Sequence, residues 1–173
     1  IFEEMPVDDW INGTTWSGLY ITIPKNIICA THFPFYKKAG DSMEIVLLTH
    51  GEWGAELVKS AELIVGPLKN VKCFPLHPDC PLKEYIRETQ AYMEQRKEEE
   101  FLLITDIRGG STFYTAGILS RTEKIRAVSG LSMDMLILAD ELRQEYSVGE
   151  IIPLLIEGTK NKITDMETVL GKE

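Results

Sequence analysis

From Met43 onward the chain alternates short apolar runs of strand length with amphipathic segments of helical length, and few folds accommodate that order. Glu44-Ile-Val-Leu-Leu-Thr49 is apolar at nearly every position, as a strand buried on both faces must be. Leu57, Val58, Ala61, Ile64 and Val65 follow at helical spacing, and Gly66-Pro67 ends that helix. A second strand is expected over Val71–Leu76. After Pro81 comes an apolar stripe of Leu82, Tyr85, Ile86, Thr89, Tyr92 and Met93. Phe101–Thr105 is the third strand, Gly109-Gly110-Ser111-Thr112 opens a third helix, and Lys124–Val128 is a short fourth strand. Ser132 is placed to cap a helix running to about Glu145. Ile152, Leu155, Ile156, Thr159, Ile163, Met166 and Leu170 are expected on one final helix, with Pro153 in its first turn.

Strands separated by helices require crossover connections, so the expected fold is α/β, a three-layer sandwich. A mainly parallel sheet, with strand order 2-1-3-4, carries helices on both faces. Ligands of such sheets gather at the carboxyl ends of the strands. The informative loops are those after Thr49, Leu76, Thr105 and Val128.

Charge narrows the partners. The chain of 173 residues carries 18 basic and 27 acidic side chains, a net −9, which argues against nucleic acid and anionic membrane surfaces. A basic protein partner remains compatible. The longest uncharged stretch, Trp10 to Pro24, is interrupted by Asn12, Gly13, Thr14 and Ser17, too polar to span a bilayer. Glu3, Glu4, Asp8 and Asp9 stand where a secretion signal would carry basic residues, and three cysteines suit a reducing compartment. The cytoplasm is the expected location.

The loop after the first strand begins Thr49-His50-Gly51. A histidine there lies exposed at the sheet's upper edge, and imidazole serves as nucleophile or acid/base near neutral pH. A lone loop histidine is more often idle. Asp106, ending the third strand, changes the balance: in a 2-1-3-4 order it lies beside His50. A carboxylate on Nδ1–H would leave Nε2 unprotonated and pointing outward. Gly110, Ser111 and Thr112, at the following helix start, offer N–H groups and hydroxyls to an anion. Each feature alone would be read as capping; together they describe a phosphoryl acceptor.

Thr49-His50-Gly51 after the strand, Asp106-x-x-Gly109-Gly110-Ser111, Val128-Ser-Gly130 and Met135-Leu136 resemble the IIA component of the mannose/fructose/sorbose-type phosphoenolpyruvate-dependent sugar phosphotransferase system. The resemblance covers essentially all of 43–173 and none of 1–42. It implies a cytoplasmic phosphocarrier that takes phosphate from phospho-HPr onto His50 and passes it to a histidine of the cognate IIB component. The membrane is then reached only indirectly, through the IIC and IID subunits. Asp106 would orient His50, and Ser111 would contact phosphate. The family also implies a homodimer whose sheet gains an exchanged edge strand, served by the region after Ser129. Residues 43–173 hold 22 acidic and 15 basic side chains, a net −7 suited to the positively flanked docking face of HPr. A protein-to-protein relay needs an open, apolar rim, for which Trp53, Ile107 and Phe113 are candidates. Arg108, where some members carry Trp or Met, either stabilises transferred charge or faces solvent. No cofactor or metal is expected.

Two other readings keep the fold. One is a phosphorylatable regulatory domain or the phosphotransfer subunit of a dihydroxyacetone kinase. The latter relatives usually have Met-Gly-Ser where this chain has Gly109-Gly110-Ser111. The other is a flavodoxin-like binding module without chemistry, for which His50→Ala would change only surface charge. Cys73, His77 and Cys80 suggest zinc, but lack a local fourth ligand and a finger spacing. Gly51-Glu-Trp-Gly54 lacks the three glycines of a dinucleotide loop.

Residues 1–42 hold seven aromatics without sustained periodicity and form an extension of uncertain origin. One reading is translated leader, since Ala39-Gly-Asp41 can be encoded by a ribosome-binding-like string just before the Met43 codon. Its rival is an appended segment that packs its aromatics on the domain or a partner. Loss of folding or phosphotransfer on deleting 1–42 would refute the leader.

Overall fold

The computed structural model describes residues 43–171; the two readings of residues 1–42 lie outside them. Four strands form one parallel sheet in the order β2-β1-β3-β4: β1 Met43–His50, β2 Val71–Leu76, β3 Glu100–Thr105 and β4 Ile125–Ser129. Helices α1 Trp53–Val65, α2 Leu82–Glu94 and α3 Ser111–Leu119 connect them, and α4 Met133–Leu142, α5 Val148–Lys160 and α6 Met166–Leu170 follow.

The period of two along the strands builds the layers. Ile45 and Leu47 of β1 face one way with Leu102 and Ile104 of β3, against Ala61 of α1, Leu136 of α4 and Ile151 of α5. Val46 and Leu48 face the other way with Phe101 and Leu103, against Tyr85 and Met93 of α2 and Ala116 of α3. β1 is buried along all but its last residue, so only His50 emerges from the central strand. Register sets its neighbours: His50 pairs with Leu76 of β2, and Leu48 with Thr105 of β3, leaving Asp106 one step beyond.

The C-terminal part differs from expectation in two respects. The Ser132-capped helix ends at Leu142, and the next one begins at Val148 rather than near Ile152. The reason is a capping box: Glu150 accepts from the Ser147 N–H at 3.1 Å and its hydroxyl at 2.6 Å. Pro153 therefore stands in the second turn of α5, not the first, on its exposed side where water can satisfy the Gly149 carbonyl. The apolar positions assigned to one helix are divided between α5 and α6, with Ile163 in the connection between them. Among the described residues no fifth strand follows β4, and the segment after Ser129 forms helices.

Candidate functional site

The site is made by the upper ends of β1 and β3. Gly51 takes φ +67°, the left-handed turn that glycine adopts freely, and its N–H bonds the Leu76 carbonyl at 2.9 Å. Thr49 is buried beneath, its hydroxyl donating to the Gly51 carbonyl at 3.0 Å. A Cβ on Gly54 would stand 2.8 Å from the Thr49 methyl, so glycine there lets α1 start close against the strand tip.

Asp106 organises everything above this floor. Oδ2 accepts from the His50 backbone N–H at 2.8 Å and contacts the His50 ring Nδ1 at 2.8 Å. Oδ1 accepts from the Ile107 N–H at 2.9 Å and the Thr112 hydroxyl at 2.8 Å. Burial alone would push this carboxyl up, but the hydrogen bonds from His50, Thr112 and Ile107 outweigh it and hold it at about 2. Asp106 is thus ionised at neutral pH and can only accept, so Nδ1 carries the proton and the Nε2 lone pair is free. The His50 side chain is 46% exposed and that of Asp106 only 9%: a nucleophile at the surface held by an anchor beneath it.

α3 begins against the other side of the ring. Gly109 takes φ +82°, and Gly110, extended at φ −81°, is the N-cap. A Cβ on Gly110 would lie 3.0 Å from His50 Cε1 and 3.5 Å from Nε2. The helix start therefore lies close beside the ring, and its unpaired first-turn N–H groups and positive dipole end suit an anion there. Gly110→Ala should fold normally, since its backbone is unstrained, yet crowd the pinned ring. We expect phosphoryl acceptance to slow about tenfold or more with unchanged thermal midpoint; single-turnover labelling with calorimetry checks this.

The structure brings His50, Asp106, Gly110 and Ser111 together, with Ser111 on the wall of a cavity of about 500 Å³ shared with His50, Gly51, Leu76 and His77. Thr112 departs from its expected role. It is fully buried and its hydroxyl is committed to Asp106, so it positions the carboxylate rather than offering a hydroxyl to phosphate. Trp53, Ile107 and Phe113 are exposed around the site, as an apolar rim requires. Arg108 is exposed on the same loop, so in this state it takes the solvent-facing alternative. Two features escaped sequence reasoning. The steric demand at Gly110 was hidden because a paired glycine reads simply as a turn. The second is a contact between His77 Nε2 and Glu52 Oε1 at 3.1 Å. Among the described residues, no group of three His, Cys, Asp or Glu side chains could hold a metal, and no helix is long and apolar enough to cross a membrane.

No match is found among curated proteins. Solved structures share the fold. A phosphotransferase system component EIIA from Streptococcus agalactiae is 24% identical, covering 73% of this chain and 98% of that one, with a TM-score of 0.63. The PTS IIA protein associated with the fucose utilization operon of Streptococcus pneumoniae is 20% identical, covering 77% and 99%, with a TM-score of 0.64. The mannose/sorbose-specific IIA subunit from Enterococcus faecalis is 21% identical, covering 72% and 95%, with a TM-score of 0.66. The family model described as PTS system fructose IIA component matches residues 44–155, which include both strand tips and the start of α3. With most of its length matched by that model, the chain belongs to the IIA components of the sugar phosphotransferase system, a family of phosphotransfer proteins.

Proposed function

We propose that this protein is a cytoplasmic histidine phosphocarrier of the mannose/fructose/sorbose class, accepting a phosphoryl group from phospho-HPr on His50 and delivering it to its IIB component. One observation carries the reading: Nδ1 of His50 is held at 2.8 Å by an ionised, buried carboxylate while the ring itself opens to solvent. Nε2 attacks phosphorus, forming the new N–P bond, and the donor nitrogen keeps the electron pair of the bond that breaks. A donor ring protonated on its other nitrogen leaves as neutral imidazole. The His50 ring becomes a phospho-imidazolium that keeps its Nδ1 proton and donates it in a hydrogen bond to Asp106, so the ionised carboxylate offsets the charge that develops. In this reading the N–H groups of Gly110 and Ser111 and the Ser111 hydroxyl donate to the phosphoryl oxygens, supported by the closeness of Gly110 to the ring and by Ser111 lining the same cavity as His50. Trp53, Ile107, Arg108 and Phe113 form the docking rim, and a homodimer would cover the free edge of β4.

Incubation with phosphoenolpyruvate, enzyme I and HPr should add the mass of one phosphoryl group, which disappears when the cognate IIB component is added. His50→Ala should take up none. A wild-type protein that stays unmodified, or a His50→Ala variant labelled equally well, would overturn the assignment.

A further inference from the structure

Glu52 lies two residues after His50, in the turn that leads into α1, and it is a carboxylate at the mouth of a site proposed to receive a doubly negative group. Burial chiefly raises the Cys73 thiol on β2 and Glu56 chiefly raises the Lys59 amine on α1, with Glu52 adding a minor part to each. Left alone, it would oppose a phosphoryl group on His50. It is not alone. His77, the first residue beyond β2, reaches it with Nε2 at 3.1 Å from Oε1. The register explains the meeting, since Leu76 is the partner of His50 across β1 and β2, and the Gly51 N–H is bonded to the Leu76 carbonyl. His50 and His77 consequently stand at the tips of adjacent strands and line the same cavity.

We propose that His77 is a positioning residue of the phosphoryl site: it engages the Glu52 carboxylate and so lowers the repulsion that a phosphoryl group on His50 would otherwise meet. This rests on the phosphocarrier reading above. His77 accepts no phosphoryl group in this role and acts only through its hydrogen bond to the Glu52 carboxylate. Both side chains are more than half exposed, so the pair contributes little to folding. Its consequence falls on the phosphorylated state, where a negative group has entered the cavity that His50 and His77 line.

The discriminating quantity is the equilibrium constant for phosphoryl exchange between HPr and this protein. Association rates would also respond to Glu52, whereas docking contributions cancel at equilibrium. His77→Ala should move that equilibrium about three- to fivefold toward phospho-HPr. His77→Ala combined with Glu52→Gln should return it to within about twofold of wild type, because the charge needing a partner is gone. Glu52→Gln alone should match or exceed wild type. Circular dichroism should show all three variants folded. An unchanged equilibrium in His77→Ala, or a loss that Glu52→Gln does not rescue, overturns the proposal while leaving the phosphocarrier reading intact. A wild type that takes no phosphoryl group removes both.

Discussion

Asp106→Asn lowers the rate of phosphoryl acceptance by His50 on the order of a hundredfold or more. The carboxylate serves four donors, two on each oxygen, and a carboxamide has one oxygen. If that oxygen serves the Ile107 N–H, the amide group meets the backbone N–H of His50 and donates to Nδ1. The proton then moves to Nε2, and the nucleophilic lone pair is lost. If the oxygen instead serves His50, the amide confronts the Ile107 N–H, donor against donor, and the loop must shift to relieve it. In neither arrangement does a negative charge balance the phospho-imidazolium. Single-turnover labelling from phospho-HPr measures the effect, and a rate within a few-fold of wild type would refute it. The same substitution has a signature in acid. The Asp106 carboxyl is held at about 2 in the folded state against an ordinary 3.8, so it contributes stability fully above the ordinary value. That contribution is lost as pH falls through the folded value. Between about pH 5 and 2 the wild type should lose about 2 kcal/mol that Asp106→Asn does not. Urea unfolding at several pH values reads this directly.

Arg143→Ala should be the most destabilising single substitution considered, at about 3–5 kcal/mol out of a total of roughly 5–15. Arg143 is buried at the opposite end of the sheet from His50, just beyond α4. Its guanidinium donates to the Met43 carbonyl at 3.1 Å, the Asn70 carbonyl at 3.0 Å, the Lys69 carbonyl and the Asp140 carboxylate. It thereby ties the start of β1 to the turn before β2. Asn70 adopts φ +52° in that turn, and its carbonyl is shared between Arg143 and the Ile45 N–H. Truncation strands the Met43 and Lys69 carbonyls, leaves the Asn70 carbonyl with only the Ile45 N–H, and takes the Arg143 partner from the Asp140 carboxylate. Arg143→Lys should recover only a small part, since an ammonium lacks the planar fork that reaches several acceptors together. A midpoint shift in urea below about 1 kcal/mol would show that water replaces these bonds.

The strands were legible because β1 and β3 lie between two helical layers and so read as unbroken apolar runs. The alternation of strand and helix called for a parallel sheet but did not choose among the doubly wound orders; 2-1-3-4 entered as a condition, which the sheet meets. His50 and Asp106 were legible for the same reason, each being the first polar step beyond a buried strand. What escaped depended on contacts between segments distant in sequence. Thr112 looks like a hydroxyl at a helix start, and only the fold shows that Asp106 occupies it. Gly110 looks like a turn glycine until the imidazole is found against it. His77 was set aside with a weak zinc pattern, and its partner Glu52 lies across the strand register from it. The single C-terminal helix was mispredicted because Pro153 was taken as a start signal, when Ser147 and Glu150 supply the actual one.

The nitrogen that carries phosphate is the most direct test of the mechanism. Phosphorylated protein labelled with nitrogen-15 in its histidine rings should show phosphorus–nitrogen coupling at Nε2 of His50, with the proton retained on Nδ1. Phosphate on Nδ1 of His50, or on His77, would contradict the hydrogen-bonded arrangement from which the function was drawn.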